Sequence, residues 1–237
     1  MLESISRSIR SVTSSDILVY TAIIGRADQL ITPKAGLNAQ FVCITDQPIK
    51  ECQPWTTIRI NPQKSSKAFS REIKITLPNL LPATHTVWVD GGMQITQWPL
   101  DVVTDHDIAA HRHFHRTCAY QEIRELVTMN IIDSKTGIDC ATKLIQNQYT
   151  PNNGLHDASF LYRRSNDKIR AFNADWFEHI KSSNYRDQVW LDYLIGKHQL
   201  KCYDLLGKTR DSLSGHRHYG FATHFPGYNA VPDKRWL

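Results

Sequence analysis

The clearest pattern along the chain is an apolar run that ends on an acid and two glycines. Residues 87–89 are β-branched or aromatic, and such residues favour an extended, buried backbone. Gly91 and Gly92 end the run, because glycine adopts backbone angles that other residues avoid. The pattern predicts a strand with Asp90 at its carboxyl end.

Other apolar runs have the length of strands. Residues 16–24 form a nearly continuous apolar run that stops at Gly25, which is typical of a strand covered on both faces. Residues 40–46 form a second run that also ends on an acid. The segment 155–163 and a segment that starts at Asp107 predict two further strands.

The segment 67–80 has two stripes at helical spacing. The apolar stripe consists of Phe69, Ile73, Leu77 and Leu80. The basic stripe consists of Lys67, Arg71 and Lys74. The apolar stripe predicts a helix packed on the core. The basic stripe either binds a diphosphate or only solvates the helix.

Further helices alternate with the strands. They are predicted over residues 118–133, 137–149 and 166–182, and in a segment whose first turn carries Asp187. In the first of these we expect Glu122 to face outward. The alternation predicts an α/β fold, a single Rossmann-like domain with a mostly parallel central sheet flanked by helices.

The chain divides into three parts by composition. Residues 1–15 contain six serines and no long apolar run, which predicts a polar, flexible leader. Residues 16–206 contain the predicted strands and helices. Residues 207–237 are rich in histidine and aromatic residues, and we expect them to form an arm that closes over the site.

Composition narrows the class of protein only slightly. The 237 residues are 41% apolar and carry a net charge of +5, which fits one domain that binds an anionic molecule, a membrane surface or nucleic acid. The five cysteines include no C-x-x-C pair, which predicts a reducing, cytoplasmic environment. No apolar run approaches the roughly 18 residues of a membrane span, although peripheral membrane association stays open.

Three features are candidates for chemistry. Asp90, at the mouth of a sheet, suits a divalent cation that carries phosphate, although a capped turn is the simpler alternative. His111, His113 and His115 would share one strand face, where they either hold metal or phosphate or line a solvated edge. Asp187 either serves the site or stabilises a helix dipole.

Several motifs together resemble a known family. They are Val19-Tyr20-Thr21-Ala22-Ile23-Ile24-Gly25 with Asp28, Ser70-Arg71-Glu72-Ile73-Lys74, Trp88-Val89-Asp90-Gly91-Gly92, Arg116-Thr117-Cys118-Ala119-Tyr120-Gln121-Glu122 and Arg186-Asp187-Gln188. In this order and spacing the chain resembles the glycosyltransferase-like domain family that includes plant mucilage-related (TOD/MUCI-type) proteins and bacterial relatives. That family has a GT-A nucleotide-sugar fold.

The resemblance implies a nucleotide-diphosphate sugar as donor, with UDP as the expected nucleotide. The expected donor-binding residues are Tyr20, Thr21, Ala22, Asp28, Arg71 and Lys74. A divalent metal, Mn²⁺ or Mg²⁺, is expected near Asp90. Gly92 occupies the place of a second acid, so a further ligand must come from elsewhere, and His216 or His218 is the expected supplier. Otherwise the metal is dispensable.

The same resemblance implies an acceptor hydroxyl on a glycan or another molecule. Asp187, or else Asp157, would remove the proton of that hydroxyl if the reaction inverts the anomeric configuration. Arg71 and Lys74 would stabilise the charge of the departing diphosphate.

Two other functions compete with this one. Acids and histidines recur at residues 105–107, 111–115 and 156–157, which suggests a metal-dependent phosphoesterase, although several ligands of a two-metal site are missing. The basic segment 111–116 suggests a non-catalytic module that binds nucleic acid or another anion. Because the segment contains no recognisable binding motif, we expect no nucleic-acid partner.

Overall fold

The structure is a computed structural model. It describes residues 1–12, 15–25, 28–34, 38–50, 52–61, 65–97, 103–184, 186–205, 208–210, 217–219 and 222–224. The strands in these ranges are β1 Ile17–Ile23, β2 Gln40–Thr45, β3 Trp55–Arg59, β4 His85–Val89, β5 Met93–Ile95, β6 Ile108–Arg112, β7 His156–Arg164, β8 Cys202–Leu205, β9 Lys208–Arg210, β10 Arg217–Tyr219 and β11 Ala222–His224. The helices are α1 Leu2–Val12, α2 Ser66–Thr76, α3 Ala119–Thr128, α4 Ser134–Gln146, α5 Asp167–Lys181 and α6 Gln188–Lys197, and a 3₁₀ turn at Leu77–Leu80 continues α2.

A seven-stranded sheet forms the centre of the fold, in the order β3-β2-β1-β4-β7-β6-β8. β1 pairs in parallel with β2 and with β4, and β2 pairs in parallel with β3. β8 is parallel to β6, whereas β7 runs antiparallel to its neighbours β4 and β6. The predicted α/β fold, a single Rossmann-like domain with a mostly parallel sheet flanked by helices, is confirmed.

The strand order reverses between β1 and β4. β2 and β3 follow outward on one side of β1, and the next strand of this sheet, β4, lies on the other side. In open α/β sheets a crevice for ligands opens at such a point, beyond the carboxyl ends of the strands. Asp28 follows β1 and Asp90 follows β4, so both acids come from the loops at this crevice.

Helices pack against one face of the sheet. The apolar stripe predicted for α2 is buried at Phe69, Ile73 and Leu77, which are 1%, 0% and 0% exposed. These residues join one apolar cluster with side chains from α5, α6 and the central strands. Helical periodicity alone therefore identified the packed side of α2.

A second, smaller sheet lies against the opposite face. Its strand order is β5-β11-β10-β9, all antiparallel. Met93 and Ile95 of β5 and Ala222 of β11 join an apolar cluster with Val19 and Phe160 of the central sheet. Strands from the far end of the chain thus complete the second half of the core.

Most of the segment 1–15 is not the flexible leader that composition predicts, because residues 2–12 form α1. Ile5 and Ile9 lie one turn apart in this helix and are 2% and 0% exposed. The hydroxyl of Ser6 donates a hydrogen bond to the carbonyl of Leu80 over 2.7 Å. Serine content suggested a polar tail, whereas the spacing of the isoleucines determines how the segment packs.

The predicted row of histidines on one strand face is also wrong. β6 ends at Arg112, and His111, inside the strand, is 0% exposed. His113 lies in the turn that follows, where its Nδ1 accepts the backbone N–H groups of His115 and Arg116 at 3.1 and 3.0 Å. Because the strand ends early, the three imidazoles do not share a face.

Within the ranges given above, no helix combines the length and the apolar content that crossing a bilayer requires.

Candidate functional site

Five charged residues from distant parts of the chain lie together beyond the carboxyl ends of β1 and β4, where the strand order reverses. We call them the switch-point cluster, and they are Asp28, Arg71, Lys74, Asp90 and Asp187. Asp28 and Asp90 follow strands of the sheet, Arg71 and Lys74 lie on α2, and Asp187 precedes α6. All five are among the residues predicted from the sequence.

Lys74 is the buried centre of this cluster. Its side chain is 1% exposed, and its Nζ lies 2.6 Å from Asp187 Oδ2 and 3.7 Å from Asp90 Oδ1. The same ammonium lies 5.5 Å from the ring centre of Trp88. The basic stripe of α2 is therefore not a solvated face, because at Lys74 it points into the protein, toward Asp187 and Asp90.

Tyr20 supports Lys74 from inside the core. Its hydroxyl donates to the carbonyl of Lys74 over 2.6 Å, and the guanidinium of Arg163 donates both to the same carbonyl and to the Tyr20 hydroxyl. Tyr20 is 0% exposed, and Thr21 and Ala22 are also buried. Their side chains pack inside the protein, and that of Tyr20 does not reach the crevice.

Asp187 is held by two cations. Its carboxylate contacts Lys74 at 2.6 Å and lies 3.3 Å from Arg71 Nε. Burial raises the pKa of Asp187, but the charges of Arg71 and Lys74 outweigh burial and hold that pKa well below its usual value. Asp187 is the N-cap residue of α6, yet its side chain makes no capping hydrogen bond. Its partners are thus the cations of α2 and not the helix backbone.

Asp28 packs directly against Gly91. A Cβ atom at Gly91 would lie 2.4 Å from Asp28 Cβ, so no larger residue fits there without displacing the acid. The pKa of Asp28 is raised to about 6, first by burial and then by the charge of Asp90, while Arg71 opposes the shift. The two carboxylates are close enough to repel each other.

Asp90 is fixed on one side and open on the other. The indole N–H of Trp88 donates to Asp90 Oδ1 over 2.6 Å, and the backbone N–H of Asp90 donates to the carbonyl of Ser159 over 2.7 Å. The side chain of Asp90 is 29% exposed. It is therefore oriented by the fold and still accessible to a ligand.

A divalent cation fits this pair of acids. Two neighbouring carboxylates, one with a raised pKa, are stabilised by positive charge, and Mg²⁺ and Mn²⁺ prefer oxygen ligands. Asp28 is the carboxylate that lies beside Asp90, where the sequence has Gly92 in place of a second acid. The sequence pointed to Asp28 as a donor-binding residue and did not predict it as a metal ligand, because only the fold brings it beside Asp90.

The two histidines predicted as metal ligands are not tested by the structure. His216 lies outside the described residues, and His218 is described only as part of strand β10. The neighbouring strand β11 pairs with β5, with Ala222 opposite Ile95 and His224 opposite Met93. Because β5 begins just after Gly92, this part of the predicted arm is joined to the loop that carries Asp90.

Asp157 lies at the start of β7, the antiparallel neighbour of β4. It is 5% exposed, and its Oδ1 accepts the backbone N–H of Ser159 over 2.8 Å. Because β7 is antiparallel to β4, the first residues of β7 lie beside the carboxyl end of β4, where Asp90 follows. Burial lowers the pKa of Arg71, but the charges of four acids outweigh burial and raise that pKa, with Asp187, Asp90 and Asp28 contributing before Asp157.

An ion pair beside the cluster was missed by the sequence reading. Glu122 was expected to face solvent, but it is 1% exposed, and its Oε2 lies 2.5 Å from Arg116 Nε. Burial raises the pKa of Glu122, while Arg116 and Arg186 oppose the shift. The amphipathic spacing of α3 is too coarse to separate a buried ion pair from an exposed acid.

A second group of polar residues lies around the edge strand β8. We call it the edge cluster, and it consists of His156, Asp192, Cys202 and Asp204. His156 Nδ1 lies 2.5 Å from Asp192 Oδ1, and His156 Nε2 lies 2.7 Å from Asp204 Oδ1. Burial lowers the pKa of His156, but hydrogen bonds to both acids outweigh burial and raise it to about 11.

Comparison with known proteins does not assign the chain to a family. No protein-family model matches the chain, and no curated protein matches it either. The motifs and the switch-point cluster are therefore the basis for a functional proposal.

Proposed function

We propose that this chain is a glycosyltransferase that moves a sugar from a nucleotide-diphosphate donor to a hydroxyl acceptor, such as a glycan. The observation that carries the proposal is the meeting of Asp28 and Asp90 with the cations of α2 at the point where the strand order reverses. Nucleotides bind at this position in related sheet architectures. The motifs that resemble GT-A glycosyltransferases supply the same residues.

The charges of the cluster suit a diphosphate leaving group. When the bond from the anomeric carbon to the diphosphate breaks, negative charge develops on the phosphate oxygens. Arg71 is 21% exposed, so its guanidinium is placed to reach such an oxygen. Lys74 is 1% exposed and holds Asp187 and Asp90 in place, which makes it a positioning residue in our proposal.

Asp28 and Asp90 would hold a divalent metal, Mn²⁺ or Mg²⁺. When bound, such an ion supplies positive charge that offsets the charge of the diphosphate. Without it, the acids of the cluster balance the cations, and a free diphosphate would gain little attraction. We therefore expect donor binding to depend on the metal.

Asp157 is the better candidate for the acceptor's base. A catalytic base works best when its pKa lies near the working pH. Asp187 does not meet this condition, because Arg71 and Lys74 lower its pKa and occupy its carboxylate. In our proposal Asp187 orients the cations and Asp157 accepts the proton.

The competing functions have less support. Asp107, one of the acids that suggested a phosphoesterase, precedes β6 and so lies at the end of the strands opposite to Asp90. Its carboxylate accepts hydrogen bonds from the side-chain amide of Asn166 and from the backbone N–H of Lys201. The basic segment that suggested a non-catalytic, anion-binding module is largely neutralised, since Arg112 pairs with Asp204 and Arg116 with Glu122.

We also propose that the protein acts in the cytoplasm. None of its five cysteines forms a disulfide, and Cys43, Cys118 and Cys140 are buried. Unpaired thiols are typical of a reducing compartment.

The proposal can be tested by titrating the protein with nucleoside diphosphates and nucleotide sugars, with and without Mn²⁺. Wild type should bind at least one diphosphate more tightly with Mn²⁺, and thermal stability should rise with occupancy. Asp90→Ala should lose most of the Mn²⁺-dependent gain. Asp105→Asn is the matched control, because Asp105 is an exposed acid at the opposite end of the strands, and this variant should keep the gain.

Release of nucleoside diphosphate from the sugar that binds best then measures transfer. Equal Mn²⁺ enhancement in wild type and Asp90→Ala would contradict the assignment of the site. The same holds if no nucleoside diphosphate or nucleotide sugar binds to the folded wild type.

A further inference from the structure

The edge cluster contains the three classes of side chain that bind zinc in proteins. One ligand atom each from His156, Cys202 and Asp204 lies within 4.8 Å of the other two. Imidazole nitrogen, thiolate sulfur and carboxylate oxygen are all zinc ligands. Cys202 and Asp204 are two residues apart on β8, so their side chains share one face of the strand.

We propose that His156 Nε2, Cys202 Sγ and Asp204 Oδ1 bind a zinc ion whose fourth position opens into a pocket. The site uses no residue of the switch-point cluster. The zinc site and the proposed transferase activity can therefore be tested separately, and failure of one does not contradict the other.

The distances between the ligand atoms are close to those of a tetrahedral zinc site. With bonds of about 2.0 Å to nitrogen or oxygen and about 2.3 Å to sulfur, a tetrahedral ion separates N from O by about 3.3 Å and N from S by about 3.5 Å. Here His156 Nε2 lies 2.7 Å from Asp204 Oδ1 and 3.8 Å from Cys202 Sγ. Shifts of a few tenths of an ångström in the partly exposed Cys202 and Asp204 side chains accommodate the ion.

Asp192 orients the histidine from behind. Its Oδ1 accepts the Nδ1–H of His156 over 2.5 Å, and its Oδ2 accepts the backbone N–H of His156 over 2.7 Å. Nε2 therefore points toward Cys202 and Asp204. A carboxylate behind a histidine is the usual arrangement that fixes a metal-bound imidazole.

Asp204 is oriented in a similar way. Its Oδ2 accepts from Arg112, with Nε at 2.9 Å and Nη2 at 2.8 Å, while Oδ1 faces His156. Gly154 makes room for this arginine, because a Cβ there would lie 2.1 Å from Arg112 Nη1. The two oxygens of Asp204 thus have separate partners, Oδ2 with Arg112 and Oδ1 with the ring N–H of His156. The ion would replace the proton on His156 Nε2 and lie between that nitrogen and Oδ1.

The charges and the ligand types favour zinc over the metals expected at the crevice. A thiolate and a carboxylate together neutralise a divalent ion. Thiolate and imidazole ligands select zinc, whereas Mg²⁺ and Mn²⁺ prefer oxygen. We therefore expect zinc at the edge cluster and Mg²⁺ or Mn²⁺ at the switch-point cluster.

A pocket of about 510 Å³ opens at the cluster. Asn153, Ile195 and Tyr203 line it together with the ligand residues. Three protein ligands with one position open are typical of zinc sites that exchange water for another ligand, whereas structural zinc is closed by a fourth protein ligand. The open position should accept water or a small anion.

The test measures bound metal in the full chain, purified in the presence of a reductant. Elemental analysis should find one zinc per chain. After removal of zinc, titration with Co²⁺ should produce a thiolate-to-cobalt charge-transfer band, because Cys202 is a ligand. Circular dichroism before and after the titration confirms that the chain is folded.

Variants locate the ion. Asp192→Asn should weaken zinc binding about 10–100-fold, as expected when a metal-bound histidine loses its supporting carboxylate. Cys202→Ser should weaken it further and abolish the charge-transfer band. Cys52→Ser is the matched control, since Cys52 is the other partly exposed thiol, with Sγ 3.1 Å from Thr32 Oγ1, and it should keep both zinc and band.

Three results would overturn the site. Folded wild type that holds no zinc and gives no cobalt band has no such site. An unchanged band in Cys202→Ser shows that another thiol binds the metal. Zinc that is lost in Asp90→Ala belongs to the switch-point cluster, and in that case Mn²⁺-dependent diphosphate binding in Cys202→Ser still reports on the transferase separately.

Discussion

The switch-point cluster and the edge cluster both bury carboxylates beside positive charge, but they hold that charge differently. At the switch point, Arg71 and Lys74 come from one helix and form ion pairs with acids from two other segments, Asp90 and Asp187. At the edge, one imidazole lies between Asp192 and Asp204, with a thiol beside it. The cations of α2 are fixed parts of the fold, whereas an imidazole and a thiol can exchange their protons for a metal.

This difference separates two kinds of chemistry. Guanidinium and carboxylate groups arranged around a crevice recognise phosphate and a hard cation. Imidazole and thiolate ligands bind a softer metal through covalent character. The comparison predicts that variants of one cluster leave the ligand of the other unchanged, and the following experiments test it, beginning with the largest expected effect.

Asp157→Asn should reduce sugar transfer by about 10² to 10⁴, the usual span for loss of a general base. Affinity for the donor and zinc content should stay unchanged, because Asp157 contacts neither ligand in our proposal. Steady-state release of nucleoside diphosphate, together with donor titration, measures both quantities. Asp105→Asn serves as control. Near-normal transfer in Asp157→Asn would show that Asp157 is not the base and would leave Asp187 as the remaining candidate.

Lys74→Met should destabilise the protein by about 3 kcal/mol, because removal of one partner leaves the buried charge of Asp187 poorly compensated. Arg71 remains near Asp187 and limits the loss. Urea unfolding measures the effect, with the exposed Lys168→Met as control. The double variant Lys74→Met/Asp187→Asn should recover much of the stability. A loss below about 1 kcal/mol would indicate a pair that contributes little.

The pH dependence of that loss identifies its cause. The pKa of Asp187 is lower in the folded protein than in the unfolded chain, so its stabilisation is complete above the unfolded value of about 3.9 and declines as the pH falls further. The stability difference between wild type and Lys74→Met should therefore be largest near neutral pH and shrink below about pH 4. A difference that is equally large at pH 3 would point to lost packing.

Arg71→Ala should weaken binding of the nucleoside diphosphate by about 1.5–3 kcal/mol, the range for a charge-assisted hydrogen bond. Calorimetric titration of the best-binding diphosphate in the presence of Mn²⁺ gives this value. Zinc content should not change, because Arg71 has no part in the edge cluster. Unchanged affinity would show that Arg71 serves only to hold Asp187.

Tyr20→Phe should have the smallest effect, a loss of about 1 kcal/mol in unfolding free energy. The variant loses both hydrogen bonds of the hydroxyl, but the Lys74 carbonyl and the Arg163 guanidinium remain bonded to each other. The hydroxyl lies beneath Lys74 and away from the crevice, so donor affinity should not change. Donor titration of the variant decides between this support role and the nucleotide contact that the motif suggests. A clear loss of affinity without loss of stability would restore the nucleotide contact.

The local pattern of the sequence determined the elements and much of the fold class. The apolar run before Asp90 became β4, the spacing of Phe69, Ile73 and Leu77 became the packed face of α2, and the alternation of strands and helices gave the mostly parallel sheet. These features depend on periodicity over a few residues, which a single sequence records directly. Where composition was used in place of periodicity, as in residues 1–15, the prediction was wrong.

Only the tertiary structure decided which charges meet. Lys74 and Asp187 are 113 residues apart, and their ion pair exists because α2 and the start of α6 pack on the same end of the sheet. The contact of Asp28 with Gly91 and the placement of His156 beside β8 likewise depend on strand order. Spacing along the chain indicates which side of a helix or strand a residue occupies. It carries no information about the partner that a distant segment will bring there, because that partner is set by the packing of the whole domain.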